Sequence, residues 1–258
     1  MLSKNQIKYV RQLEQKKFRR REGLFVAEGT KVVGDLLAAG FIPTQLFATP
    51  EWLTSNHLLI LNAKFSISSV TDDELRRLSF LQHPQQVLAL FPLPSSKSAA
   101  SLNSKFLILN SLALALDGVQ DPGNLGTIIR IADWFGIDHI YCSEDTVDAW
   151  NPKVVQATMG SIARVNILYT NLPALLDTLP PDFPVYGTFL DGENIYTQSL
   201  SKHGLIIMGN EGNGISDAIR QRVTHRLLIP DFHKGDTADS LNVAIATAIT
   251  CSEFRRRL

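Results

Sequence analysis

One stretch constrains this chain more than any other: residues 116–137, LDGVQDPGNLGTIIRIADWFGI. It leaves a nearly unbroken apolar run, residues 106–116, which reads as a buried strand. Asp121-Pro122-Gly123-Asn124 then breaks the run with turn-forming residues. From Leu125 the apolar residues Ile128, Ile129, Ala132 and Phe135 recur at helical spacing. The sequence suggests Asn124 as the helix cap, its side-chain oxygen accepting a free N–H of the first turn, and Gly136 as the stop. Strand, polar elbow and helix together mark the place where open α/β sheets bind ligands, beyond the carboxyl end of a strand.

The rest of the chain repeats that alternation. Short apolar runs at residues 24–27, 45–48, 64–69 and 86–91 read as strands, with helical patterns at 5–17, 29–39 and 72–78 between them. This predicts a small α/β domain over residues 1–91. Residues 92–104, PLPSSKSAASLNS, have the Ser- and Pro-rich composition of a linker. A second α/β series fills 105–258, with strands at 139–142, 163–169, 184–190, 205–208 and 226–229. Asn151-Pro152 reads as a helix start, and a long helix is predicted over 240–257.

Charge separates the two halves. The whole chain is neutral, with 25 basic and 25 acidic residues. Yet Lys4, Lys8, Arg11, Lys16, Lys17, Arg19, Arg20, Arg21 and Lys31 crowd its start, opposed only by Glu14, Glu22 and Glu28. Lys16, Lys17, Arg19, Arg20 and Arg21 are the candidate nucleic-acid contacts; the plainer reading of such a run is a solvated helix face. Cys142 and Cys251 lie in apolar sequence without metal spacing, so both read as reduced thiols. No stretch resembles a signal peptide or a membrane span, which predicts a cytoplasmic protein without a membrane partner.

Three loops follow strands in the second half: residues 121–124, the run GNEGNG at 209–214, and residues 231–239 leading into Ser240-Leu241-Asn242. The second fits neither a dinucleotide fingerprint nor a phosphate loop. No side-chain set has metal-ligand spacing, so no metal is expected, and His233 reads as a surface histidine. Neither Ser161 nor Ser240 has the neighbours of a catalytic nucleophile. What remains is a pocket lined largely by backbone, with Arg130 placed beside it. That suits a cofactor which brings its own reactive group.

DGVQDPGNLGTIIRIADWFGI at 117–137, IIMGNEGNGIS at 206–216, and LLIP at 227–230 with SLNVAIATAI at 240–249 resemble the three motifs of SpoU-type (TrmH-type) RNA ribose 2′-O-methyltransferases. Asn151-Pro152-Lys153-Val154-Val155 and Met159-Gly160-Ser161 look like the family's segment between motifs. The N-terminal run NQIKYVRQLEQKKFRRREGLFVAEG resembles an L30e-like substrate-binding domain. The resemblance implies a trefoil-knotted parallel-sheet α/β fold (an α/β knot), S-adenosylmethionine as cofactor, RNA as substrate, and a homodimer. It implies Asn124 and Arg130 as the catalytic pair, joined by Glu211 and Asn242. For the cofactor it implies Thr188, Leu190, Met208, Gly209, Asn210, Gly212, Ile229, Pro230, Ser240, Leu241 and Asn242. Two features depart from the family pattern: the link from Pro230 to Ser240 is longer, and Asp239 stands where Glu is more usual.

A guanidinium keeps its proton at physiological pH. Arg130 is therefore expected to bind an RNA phosphate and stabilise a developing alkoxide, while the phosphate or a water takes the proton. On bare sequence it also reads as a surface helix residue with a packed stem. Ribosomal RNA is the expected substrate. Transfer RNA, methylation of a base nitrogen, and a non-catalytic RNA-binding or ribosome-assembly role are the alternatives.

Overall fold

The computed structural model describes residues 2–61, 64–94, 108–233 and 239–256. Most of the expected linker, the start of the strand expected from residue 106, and residues 234–238 of the long link before Ser240 lie outside the described residues. So does Arg257.

The chain divides into two compact units, one of residues 1–95 with 148–164, the other of 96–147 with 165–258. The first begins with α1 (Lys4–Gln12) and α2 (Lys16–Glu22), then β1 (Leu24–Glu28), α3 (Thr30–Ala38), β2 (Gln45–Ala48), α4 (Pro50–Ser55), α5 (His57–Ile60), β3 (Ser66–Ser69), α6 (Asp72–Leu78) and β4 (Val87–Pro92). The single helix expected over 5–17 is two helices. Ser3 and Gln6 form a reciprocal capping box at the start of α1. Gly23, in the left-handed region at φ 66°, ends α2. Thr71 and Glu74 form the expected capping box of α6. The sheet order is β1-β4-β2-β3, antiparallel except for the β2/β3 pair. Val10 and Leu13 of the α1 region pack with Val26, Phe47, Leu75 and Leu88 as its core.

The second unit carries β5 (Leu112–Leu116), α7 (Pro122–Trp134) and β6 (His139–Cys142). Next in the chain, α8 (Pro152–Ala157) and the 3₁₀ turn Ser161–Ala163 belong with the first unit, where α8 packs on β1 and the turn on α3. The sequence division leaves 148–164 in the second domain. Contacts assign it to the first, because a helix is claimed by the sheet that buries its apolar face. The second unit resumes with β7 (Asn166–Tyr169), α9 (Leu172–Leu176), β8 (Val185–Asn194), β9 (Gly204–Met208), α10 (Asp217–Arg220), β10 (His225–Leu228) and α11 (Val243–Arg255). Its six strands run parallel in the order β10-β8-β9-β5-β6-β7. β5 and β9 are buried along their whole length, as strands covered on both faces are.

β5 continues to β6 and β7 on one side, while β8, β9 and β10 lie on the other. The order thus reverses between β5 and β9, and the loops leaving their carboxyl ends diverge there, where open α/β sheets bind ligands. Arg255 of α11 closes the end of α7: its guanidinium donates to the Phe135 and Gly136 carbonyls, both at 2.7 Å. Those carbonyls belong to a helix end that leaves acceptors without partners. Gly136, at φ 62°, stops α7 as expected.

Candidate active site

β5 and β9 pair Leu116 with Met208, and the Asp117 amide donates to the Met208 carbonyl at 2.9 Å. The two following loops therefore start side by side. Asp117 Oδ2 accepts from the Ser216 amide at 2.7 Å, and Asn210 Nδ2 donates to the Gly118 carbonyl at 2.6 Å. Asn210 Oδ1 accepts from the Gly212 and Asn213 amides at 2.9 and 3.0 Å, folding the second loop back on itself. Gly209 makes that fold feasible: a Cβ there would lie 2.2 Å from the Gly214 carbonyl carbon. Gly212 is different, because a Cβ would meet only Asn210 Oδ1, at 3.6 Å.

A chain of side-chain hydrogen bonds crosses all three loops. Glu211 accepts from the Gln120 and Asp121 amides, both at 3.1 Å, and from Asn124 Nδ2 at 3.0 Å. Asn124 Oδ1 in turn accepts from Asn242 Nδ2 at 2.9 Å. Asn242 Oδ1 accepts from the Ala244 and Ile245 amides, capping α11. Each amide is used at both ends, so none can turn over without breaking two contacts. Burial pushes the Glu211 carboxyl up, but the bonds from Asn124 and from the backbone of Glu211, Gln120 and Asp121 outweigh it and hold the group below its ordinary value.

Asn124 does not cap α7. Asp121 does, accepting the Asn124 amide at 2.8 Å, with Pro122 in the first helical turn. The helix begins inside the stretch that reads as a turn, since Asp followed by Pro is itself a helix-start signature. The change frees the Asn124 side chain for Glu211 and Asn242. Arg130 lies two turns along α7, exposed, and makes no hydrogen bond or ion pair among the described residues.

The other expected cofactor residues border the same loops. β8 pairs with β10 through Tyr186 and Gly187, then again through Glu193 and Asn194, so the residues between leave the β10 register. That excursion carries Thr188, whose hydroxyl lies 3.8 Å from Met208 Sδ, and Leu190, which is 75% exposed. Asp191 pairs with Arg220 and Arg226, and both guanidiniums lie 4.7 Å from the Phe189 ring centre. These four residues brace the excursion; nothing in the sequence pattern singled them out. Ile229 and Pro230 follow β10 and are half-buried, while Ser240 and Leu241, the latter 50% exposed, precede α11.

In the first unit, Lys16, Lys17, Arg20 and Arg21 are exposed on α2. Lys17 and Arg21 flank the Phe18 ring at 4.9 and 4.8 Å. Arg19 is 1% exposed, which removes it from the candidate RNA contacts. It points inward to Asp148 and donates to the Leu13 and Glu14 carbonyls at 2.8 and 2.6 Å. A basic run on a short helix cannot face outward throughout, and these carbonyls at the end of α1 need a donor.

Among the described residues no His, Cys, Asp and Glu group could hold a metal, and no helix is long and apolar enough to cross a membrane. Both cysteines are buried and free; burial pushes the Cys142 thiol up and the Cys251 thiol up to about 12.

Residues 111–252 match the SpoU rRNA Methylase family, and residues 4–89 match the MRM3-like substrate binding domain. The chain is 31% identical to the 23S rRNA (guanosine(2553)-2′-O)-methyltransferase RlmP of Bacillus subtilis, over 98% of this chain and 97% of that protein. A putative RNA methyltransferase of the TrmH family from Porphyromonas gingivalis has 39% identity and a TM-score of 0.85, with both chains covered in full. An AdoMet-bound rRNA methyltransferase from Sinorhizobium meliloti has 30% identity and a TM-score of 0.85, covering 100% of this chain and 97% of that one. The parallel-sheet α/β fold expected from the resemblance is the fold these structures share. With its methylase portion matched across all three motifs, behind an N-terminal portion of substrate-binding type, the chain belongs to the SpoU rRNA Methylase family.

Proposed function

We propose that this protein transfers a methyl group from S-adenosylmethionine to a ribose 2′-hydroxyl of ribosomal RNA. The observation that carries the reading is the Glu211–Asn124–Asn242 chain, which joins the three motif loops at the reversal point of the sheet on the helix that bears Arg130. The B. subtilis relative, named for 2′-O-methylation of 23S rRNA, and the AdoMet-bound S. meliloti relative support it.

The residues fit such a cofactor. Leu190 and Leu241 are apolar side chains exposed at the rim of the motif loops, the kind of surface an adenine ring would cover. Thr188, Met208, Gly209, Asn210, Gly212, Ile229, Pro230 and Ser240 would complete the binding surface, mostly through backbone. When bound, S-adenosylmethionine supplies an electrophilic methyl on a sulfonium. The protein supplies placement and charge. Glu211 fixes the Asn124 amide, and Asn242 closes the same chain from α11, so Asn124 can orient the ribose without reorganising. Arg130, exposed and uncommitted among the described residues, binds the adjacent phosphate and stabilises the oxygen as its proton leaves for phosphate or water. Lys16, Lys17, Arg20 and Arg21 add RNA affinity from the first unit.

The enzyme is proposed to work as a homodimer in the cytoplasm. α7 and α11 pack together, and they expose Trp134 (84%) and Ile245 (53%), apolar surface suited to a second copy. Light scattering at micromolar concentration should return twice the chain mass; a monomer would count against it.

Tritiated S-adenosylmethionine incubated with protein and unmodified ribosomal RNA should label the RNA, and nuclease mapping should place the label on a ribose. Arg130→Ala should lose about 100-fold or more in rate at unchanged cofactor affinity. Arg130→Ala activity within a few-fold of the parent would sink the role given to Arg130. Label on a base would overturn the ribose assignment.

A further inference from the structure

The first unit contains a recess of about 270 Å³ that the proposed chemistry does not use. Its apolar walls are Val26 of β1, Phe80 and Leu81 after α6, and Pro152 and Ala157 of α8. Into it face three polar groups: Glu28, Gln156 and Lys153. Glu28 is 6% exposed, and it accepts one bond at each oxygen, from the Ser79 hydroxyl and from the Phe80 amide at 2.9 Å. A carboxylate has about four acceptor positions, so one further lone pair on each oxygen remains. The half-buried Gln156 amide has no hydrogen bond among the described residues, and the exposed Lys153 ammonium no ion pair. Arg11 stacks over the Phe80 ring at 4.9 Å.

A small recess with an aromatic wall, a two-oxygen acceptor and nearby donors has a specific complement. Unpaired bases in RNA are read by stacking and by hydrogen bonds to their edges. Guanine alone among the four bases offers two adjacent donors, N1–H and N2–H, matching a carboxylate, with O6 beside them as an acceptor. Adenine and cytosine place a lone pair next to their amino group, and uracil sets one N–H between two carbonyls. At its size, just under the roughly 300–1,000 Å³ of small-molecule pockets, the recess has room for one base and not for a folded strand.

We propose that the recess binds one unpaired guanine of the RNA substrate, with Glu28 accepting N1–H and N2–H, Gln156 or Lys153 donating to O6, and Phe80 lying along the base. This subsite rests on the reading of the protein as an RNA methyltransferase, and it concerns RNA choice rather than chemistry. Glu28 and Gln156 belong to the first unit, and the three motif loops to the second.

The test uses full-length protein with the 5′-monophosphates of guanosine, adenosine, cytidine and uridine in saturation-transfer NMR and titration. Guanosine monophosphate should bind, the others at least tenfold more weakly. Glu28→Gln keeps the shape and an acceptor for Phe80 but loses the paired acceptor, and should weaken guanosine monophosphate about tenfold. Gln156→Ala guards against a folding artefact, since its amide holds nothing in place; it too should weaken that ligand, with an unchanged melting temperature. In methyl transfer to ribosomal RNA, both variants should raise KM at constant kcat and cofactor affinity. Equal binding of all four nucleotides, or undiminished guanosine monophosphate binding by both variants, overturns the subsite even if methylation proceeds. Selective guanine binding without methyl transfer would uphold the subsite and defeat the enzymatic reading instead.

Discussion

At the scale of single residues, Glu211 decides how Asn124 is presented. It holds the Asn124 amide and two backbone N–H groups. Burial alone would raise its carboxyl, but those bonds lower it. A carboxyl whose value is lower in the folded state contributes stability above its unfolded value, near 4.3, and that stability is lost as pH falls through the folded value. Urea unfolding of the parent and Glu211→Gln across a pH series should show a constant gap around neutrality that narrows in acid. A gap independent of pH would mean that the ionised form is not what the loop uses. Asn124 also shows a limit of sequence reading. Its type and position suit a cap, yet Asp121 three residues earlier takes that role, and only the neighbouring loops reveal what Asn124 does instead.

At the scale of elements, α2 and the loop after β9 each depend on one residue. Arg19 is the inward-facing member of a basic run, tying α2 to Asp148 and to the end of α1. Removing one partner of a buried ion pair typically costs about 3–5 kcal/mol, whereas replacing both with apolar residues is often neutral. Chemical denaturation should therefore find Arg19→Ala strongly destabilised and the double variant Arg19→Met, Asp148→Leu much closer to the parent. Equal loss in both would mean that the carbonyl contacts, not the pair, matter. In the loop after β9, Gly209→Ala drives a methyl into backbone at 2.2 Å, so it should cost about 1–3 kcal/mol or more and weaken cofactor binding. Gly212→Val has space within the protein, so it should melt with the parent while still weakening the cofactor, because its side chain would stand where a ligand approaches. Calorimetry on both separates the effects, and normal cofactor binding by Gly212→Val would move the pocket away from this loop.

At the scale of the whole molecule, the proposed function assigns RNA affinity to the first unit and the chemistry to the second. The exposed Lys16, Lys17, Arg20 and Arg21 should release counterions on binding RNA. Each lost phosphate contact should flatten the slope of log affinity against log salt by about 0.7–0.9. Replacing these four by Ala should raise the RNA dissociation constant and reduce that slope, leaving cofactor titrations as in the parent. Arg19 is kept in that variant, since removing it would confound affinity with folding. RNA binding identical to the parent at every salt concentration would return α2 to the role of a solvated helix.

Most strands and helices were legible in their order, although residues 5–17 fall in two helices and the helices at 50–55 and 57–60 were not read. The apolar runs read at 106–116 and 205–208, which cover β5 and most of β9, and the helical period after Leu125 are local signals, and local periodicity reflects the face an element must bury. The three motif runs also named the loops that the Glu211–Asn124–Asn242 hydrogen bonds connect. α4 went unread although Thr49 caps it with Pro50 in its first turn, because a helix this short gives a weak period. What tertiary structure alone decided is which distant residues meet. Asn124 and Asn242, bonded to each other, are 118 positions apart, and Glu211 reaches Asn124 because β9 pairs with β5. Residues 148–164 pack with the first unit because of the sheet that covers α8, a partner no local pattern names. Arg19 and Arg20 are the same residue type side by side, and one is core while the other is surface. Composition and spacing record what a segment can bury; the choice of partner is a property of the folded chain, where contacts far apart in sequence are made together.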